Sequence, residues 1–245
     1  MSEKISVRQC TSLEDFNACV ALQREIWREQ DLEVEPATMF VVASHTGGQV
    51  LGAFDGPSPV GFTLALASLR NGAPYLHSHM TGVHPSYRDR GVGRALKLFQ
   101  RDEALSRDIR LIEWTFDPLE MRNAHFNLNR LGAICRRYLP NLYGITTSPL
   151  HRGLATDRLV AEWYLDSPRV MAALNGELVP TAAACSVEIS ASLEGWKSSD
   201  LLRVQSIQSD MGAKFAEAFA KGYAAVNVSK TTAGSAYQLA PWSEF

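Results

Sequence analysis

The tightest constraint on this chain is a strand, a glycine loop and a helix written consecutively over residues 75–96. Tyr75, His77, His79, Thr81 and Val83 alternate with Leu76, Ser78 and Met80, which is the period of a strand, and Pro85 ends the run. From Gly91 onward, Val92, Ala95, Leu96 and Phe99 recur at helical spacing and turn one face to a core. Between the two lie Arg88, Asp89, Arg90, Gly91, Val92 and Gly93. A helix N-terminus presents unpaired N–H groups and a partial positive charge, so a diphosphate can be held there by backbone alone. Side chains at 91 and 93 would stand in the way. Glycine leaves the N–H groups bare, while Arg88, Arg90 and Arg94 supply charge for phosphate oxygens.

Two other phosphate motifs are excluded. The lysine and hydroxyl of Gly-x-x-x-x-Gly-Lys-Ser/Thr are missing, and so is the third glycine of the dinucleotide fingerprint. The pattern that fits is Arg/Gln-x-x-Gly-x-Gly/Ala, with a strand-ending valine, Val83, ahead of Arg88. In the order Val83, Pro85, Arg88, Gly91, Gly93 and amphipathic helix, it resembles the acyl-CoA pyrophosphate loop of the GNAT acetyltransferase superfamily.

The flanking elements keep that order. Residues 5–9 read as a strand, and Thr11-x-x-Glu14 as a capping box opening a helix through about Trp27 with Val20, Ile26 and Trp27 inward. An acidic connection over 31–36 leads to a short helical segment at 39–43. Residues 50–54 and 60–69 are strands, and Asn71-Gly72 turns the chain into the central strand, giving an antiparallel meander. A strand over 109–116 follows the helix, and residues 120–131 form a helix closed by Gly132. Strands are expected over 133–143 and 157–165, joined by a polar loop at 144–156. The remainder has its own α/β rhythm: a short helix after Pro168, a strand at 186–193, a helix at 200–221, and strands at 223–228 and 236–239.

The expected fold class is therefore α/β (α+β): a GNAT-like mixed, largely antiparallel central sheet flanked by helices, with a C-terminal α/β extension. The expected division is an acyl-CoA-binding domain over 1–165 and an extension over 166–245, compatible with integration into the same sheet. The resemblance covers about 5–165.

What the resemblance implies is an N-acyltransferase that moves an acyl group, usually acetyl from acetyl-CoA, directly to a primary amine. The cofactor is acetyl-CoA or another acyl-CoA, with no metal. Arg88, Asp89, Arg90, Gly91, Val92, Gly93 and Arg94 would hold the pyrophosphate. Thr81, Gly82 and Val83 would line the pantetheine arm, and Gly82 suits a bulge that offers a polarising N–H. Such chemistry also needs a base and a proton source for the departing thiolate. Glu113, set among Leu111, Ile112 and Trp114, is a candidate base, as are His77 and His79.

The proton donor departs from the family pattern, Asn-x-x-Ala-x-x-x-Tyr-x-x-x-Gly-Phe. Counting back from Gly132 places Leu128 at the tyrosine, Ala124 at the alanine and Met121 at the asparagine, while Ala133 replaces the phenylalanine. Asn123 is a candidate for the asparagine's role in a shifted register, and Tyr138, Tyr143 or a solvent water are the candidates for the proton source. The departure also supports a different class, a non-catalytic acyl-CoA-binding or regulatory protein, and the extension a third, an interaction module. His151, Arg152 and the 31–39 connection are expected rims of an acceptor pocket by fold analogy.

Composition sets the remaining bounds. At 245 residues, 46% hydrophobic and 20% charged, the chain can bury an ample core. A formal charge of −2 and no basic block argue against nucleic-acid binding. The first residues lack an apolar signal core and no run is long enough to span a bilayer, so a cytoplasmic protein without membrane partners is expected. Cys10, Cys19, Cys135 and Cys185 are scattered and read as reduced structural thiols. The acceptor and homo-oligomerisation are left open.

Overall fold

The computed structural model describes residues 5–27, 33–146, 153–177 and 182–242. They divide into two compact units, one ending at Glu113 and the other beginning at Trp114, so the chain changes unit within a strand.

The first unit contains β1 (Ser6–Gln9), α1 (Leu13–Trp27), α2 (Ala37–His45), β2 (Gln49–Asp55), β3 (Ser58–Arg70), β4 (Ala73–Val83), α3 (Val92–Ser106) and the start of β5 (Leu111–Phe116). β1 to β4 pair antiparallel in chain order, and β5 pairs parallel with β4. Asn71 and Gly72 take φ of 51° and 81°, the two left-handed residues that a tight hairpin needs. One sheet face is closed by α1 and α2 through Phe16, Leu22, Phe40, Phe62 and Leu64. The other is closed by α3 through Val92 and Leu96 against Leu51, Ala53 and Val60.

The cap of α1 lies one residue beyond the expected Thr11-x-x-Glu14. Ser12 Oγ accepts from the Asp15 N–H at 3.1 Å, and the Asp15 carboxylate accepts from the Thr11 N–H at 3.1 Å. Arg8 binds that carboxylate as well and holds it well below the usual carboxylate range.

β4 departs from simple alternation. Ser78 pairs with Ala65 and Met80 with Leu64, so His79 is an extra residue, a β-bulge. The bulge exchanges the faces beyond it. Met80 joins the α1–α2 side, while Val83 packs with α3 and Ser78 hydrogen-bonds there. The expected grouping of Thr81 and Val83 with His77 is thus corrected. So is the bulge expected at Gly82, which pairs in register with Phe62. Gly82 serves close packing instead: a Cβ there would lie 2.8 Å from Ile26 and 2.9 Å from Trp27.

The second unit holds the end of β5, α4 (Met121–His125), β6 (Ile134–Leu139), β7 (Arg158–Tyr164), α5 (Pro168–Leu174), β8 (Cys185–Ser190), α6 (Leu193–Ser199), α7 (Leu201–Ala220), β9 (Tyr223–Thr231) and β10 (Gly234–Pro241). Its strands run in the order β7-β6-β9-β10-β8, with antiparallel pairing throughout that series. Val204, Gln208, Met211, Phe215 and Ala218 form the buried face of α7, and Phe215 meets Tyr237 edge-on at 5.2 Å. The helix expected over 120–131 changes to a π-helical turn at Phe126–Arg130, where the Asn129 amide exchanges two 3.0 Å hydrogen bonds with the Val228 backbone. The strand expected to reach Tyr143 stops at Leu139, because Pro140 lacks an N–H and Asn141 turns at φ 45°. α6 is not among the elements expected from the sequence.

Between α3 and β4 the first unit buries a lysine. Lys97 Nζ donates to Ser78 Oγ and Gln100 Oε1, each at 2.9 Å, and burial lowers its pKa from 10.5 to about 7. The unfolded chain keeps this proton until near pH 10.5, whereas the folded chain has lost it by about pH 7. Stability therefore rises with pH between those values and is flat below them. Relative to Lys97→Met, urea unfolding is expected to show wild-type protein gaining about 2 kcal/mol from pH 7 to pH 9.

Candidate active site

The glycine loop is formed as its sequence requires. A 3-10 turn at Pro85–Tyr87 leads off β4, Asp89 turns at φ 63°, and Gly91 caps α3 at φ 80°. No side chain caps α3, which leaves the first-turn N–H groups of Val92 and Gly93 facing the loop as a cradle for an anion. A Cβ on Gly91 would meet no atom within 4 Å: the space before this helix end is clear. Such a cradle fits a diphosphate. Arg88, Asp89 and Arg90 are exposed around it; Arg88 Nε donates to Val83 O at 3.3 Å, and Arg90 lies over the Tyr87 ring at 5.2 Å. The Val92 side chain points into the core, which leaves only its backbone for a ligand.

The parallel ladder between β4 and β5 consists of Leu76 with Ile112 and His77 with Glu113. Residues 78–83 of β4 run beyond it, and Thr81, Gly82 and Val83 lie on that extension toward the loop.

A polar strip lies where the ladder ends. Glu113 is buried, and the Arg70 guanidinium grips both of its carboxylate oxygens. Arg70 also lies 5.1 Å over the Tyr75 ring. The rings of His77 and His79 are 6.4 Å apart, and His79 Nε2 is 3.0 Å from Glu35 Oε1. His84, beyond the strand, faces Glu25 at 3.6 Å. Of these partners, Arg70 and Glu35 were not found by sequence reasoning: nothing local marks residues that pair across more than forty positions.

The other expected site residues belong to the second unit. Tyr138 donates its hydroxyl to Asp157 and stacks on Phe215 at 5.7 Å; burial, and then that carboxylate, push its pKa far up. Tyr143 is half-exposed, its hydroxyl shares a 2.9 Å hydrogen bond with Thr115 Oγ1, and Arg158 lies over its ring at 5.3 Å. Asn123 is exposed on α4. Leu128 is fully buried, packed as a core residue. His151, Arg152 and Asp31 lie outside the described residues.

A strand ending in a glycine-opened helix N-terminus, within a mixed and largely antiparallel sheet, defines the fold of the GNAT acetyltransferases. The acetyltransferase (GNAT) family model matches residues 16–132, just under half of the chain. Solved structures share the fold. The ribosomal-protein-S18-alanine N-acetyltransferase from Escherichia coli is 13% identical with a TM-score of 0.54, the match covering 67% of this chain and 96% of that one. A putative acetyltransferase from Salmonella typhimurium, solved with its cofactor acetyl-CoA, is 16% identical with a TM-score of 0.52 over 66% and 95%. A protein from Streptococcus mutans is 20% identical with a TM-score of 0.54 over 66% and 99%. No curated protein matches the chain in sequence. Among the described residues, no helix is long and apolar enough to cross a membrane.

Arg70→Ala removes the guanidinium that grips the buried Glu113 carboxylate. Denaturant unfolding is expected to show a loss of about 2–3 kcal/mol, below the cost of a fully buried pair because Arg70 is partly exposed, and Glu113→Gln in the same protein should recover most of it.

Proposed function

We propose that the chain is an acyl-CoA-dependent N-acyltransferase that moves an acetyl group from acetyl-CoA to a primary amine by direct attack. The observation that carries this reading is the uncapped N-terminus of α3, opened by left-handed Gly91 at the end of β4. The backbone N–H groups of Val92 and Gly93 and the charges of Arg88, Arg90 and Arg94 bind the diphosphate, with Asp89 shaping the turn. Thr81, Gly82 and Val83 present backbone to the pantetheine arm, and Asn123 is assigned to the same cofactor. Bound acetyl-CoA supplies the activated acyl group. Glu113, His77 and His79 are the groups on the polar strip able to accept a proton from the amine. Tyr143, half-exposed and sharing its hydroxyl with neutral Thr115, is assigned as donor to the leaving thiolate ahead of Tyr138, whose hydroxyl is committed to the Asp157 carboxylate.

We place the acyl-CoA function in residues 1–165 of a cytoplasmic protein and read 166–245 as an added α/β segment. A shared domain of about that size accords with the solved relatives, which match about two thirds of this chain while being covered almost entirely themselves. The buried Leu128, in the place of the family tyrosine, favours one other reading, a protein that binds acyl-CoA without turnover.

Calorimetry with acetyl-CoA and CoA tests the proposal. Wild-type protein is expected to bind with a dissociation constant of order micromolar, about −8 kcal/mol. A folded Gly91→Glu, Gly93→Glu variant should bind at least tenfold more weakly, since its carboxylates occupy the cradle. No binding by folded wild-type protein would remove both readings. Tyr143→Phe is expected to lower kcat about tenfold or more with the KM for acetyl-CoA unchanged, whereas wild-type kcat in that variant would remove the donor assignment.

A further inference from the structure

The segment leading into α2 is held by a side chain that the acyl-CoA reading does not use. Gln23, on α1, is wholly buried and takes both main-chain groups of Glu35: its Oε1 accepts from the Glu35 N–H at 2.9 Å, and its Nε2 donates to the Glu35 carbonyl at 3.1 Å. An amide that satisfies both groups of one residue fixes that residue's position and rotation, as a neighbouring strand would. Pro36 adds a steric restraint, since the residue before a proline is confined to extended backbone.

From this mount the Glu35 carboxylate meets His79 Nε2 at 3.0 Å. His79 is the bulge residue of β4, at the point where the strand has just left its parallel partner. A carboxylate at Nε2 favours the tautomer that carries its proton there, which leaves the Nδ1 lone pair as the acceptor. The rival carboxylate, Glu113, has both oxygens engaged by the Arg70 fork.

We propose that His79 Nδ1 takes the proton from the acceptor ammonium, with Glu35 as its positioning residue and Gln23 as the clamp that sets Glu35. The inference rests on the acyl-CoA reading and deepens it. The ammonium gives one proton to Nδ1, and the freed amine forms a C–N bond at the thioester carbon as the C–S bond breaks. The amine's second proton balances the thiolate, so the products are amide, CoA thiol and protonated His79.

Two measurements on the full chain test this. In ¹⁵N-labelled wild-type protein at pH 8, long-range imidazole correlations are expected to place the His79 proton on Nε2. Glu35→Gln and Gln23→Ala should convert this to a tautomer mixture, with acetyl-CoA affinity by calorimetry unchanged within about twofold, and Glu35→Asp should restore it. Thiol release from acetyl-CoA is then followed with ethanolamine, spermidine, alanine and an alanine-initiated peptide. His79→Ala is expected to lower kcat about 100-fold and Glu35→Gln about tenfold, each with the KM for acetyl-CoA unchanged.

An Nδ1–H tautomer in wild type, or one that Glu35→Gln leaves alone, overturns the positioning role. Wild-type turnover by folded His79→Ala overturns the base, as does inertness of acetyl-CoA-bound wild type toward all four amines. Failure of wild type to bind acetyl-CoA strikes the acyl-CoA reading instead, and the tautomer measurement still decides the Glu35–His79 pair.

Discussion

One extra residue in β4 governs how the first unit is built. A strand without a bulge would send His77, His79, Thr81 and Val83 to one face. With His79 inserted, Val83 turns to α3 and fills the core beside Val92 and Leu96, while Met80 turns to α1 and α2. Both helical layers depend on that exchange, because a strand with period two has no other means of serving one face before a point and the opposite face after it. The glycine loop inherits its position from the same strand. Val83 ends β4 with its side chain under the first turn of α3 and its carbonyl bonded to Arg88, so the helix end is seated on the strand that leads to it.

Charge is distributed unevenly around this frame, and the distribution follows from desolvation. A buried carboxylate needs a partner with matched geometry, and Glu113 has one in the Arg70 fork. Lys97 solves the same problem differently, by giving up its charge near neutrality and bonding to Ser78 and Gln100. The loop of residues 88–91 is opposite in character: exposed, carrying Arg88 and Arg90 and opening on an uncapped helix end, it keeps its positive potential available to an anion from solvent.

Expectation and structure agree where the determinants are close in sequence. The Asn71-Gly72 hairpin and left-handed Gly91 at the head of α3 were legible because each rests on a few adjacent residues with narrow backbone preferences. The span of α7 was legible too: the helix expected at 200–221 runs from Leu201 to Ala220. Boundaries failed where a distant group intervened. The helix over 120–131 widens into a π-turn where Asn129 is drawn to Val228, ninety-nine positions away. Tyr138 is a strand aromatic in the sequence, and only the packed second unit shows its hydroxyl given to Asp157 and its ring to Phe215.

The sequence by itself determined the strand, loop and helix of residues 75–96, the hairpin before them and the family resemblance, because these are encoded by short-range sterics and a single hydrophobic period. Tertiary structure alone decided which residue of β4 bulges, that Gly82 lies beneath Trp27 rather than in a bulge, and which carboxylate attends which base. Glu35 meets His79 across forty-four positions, and Arg70 meets Glu113 across forty-three. Contacts at that separation are set by how sheets and helices pack, and hydrogen-bonding side chains carry no period from which their partners can be read.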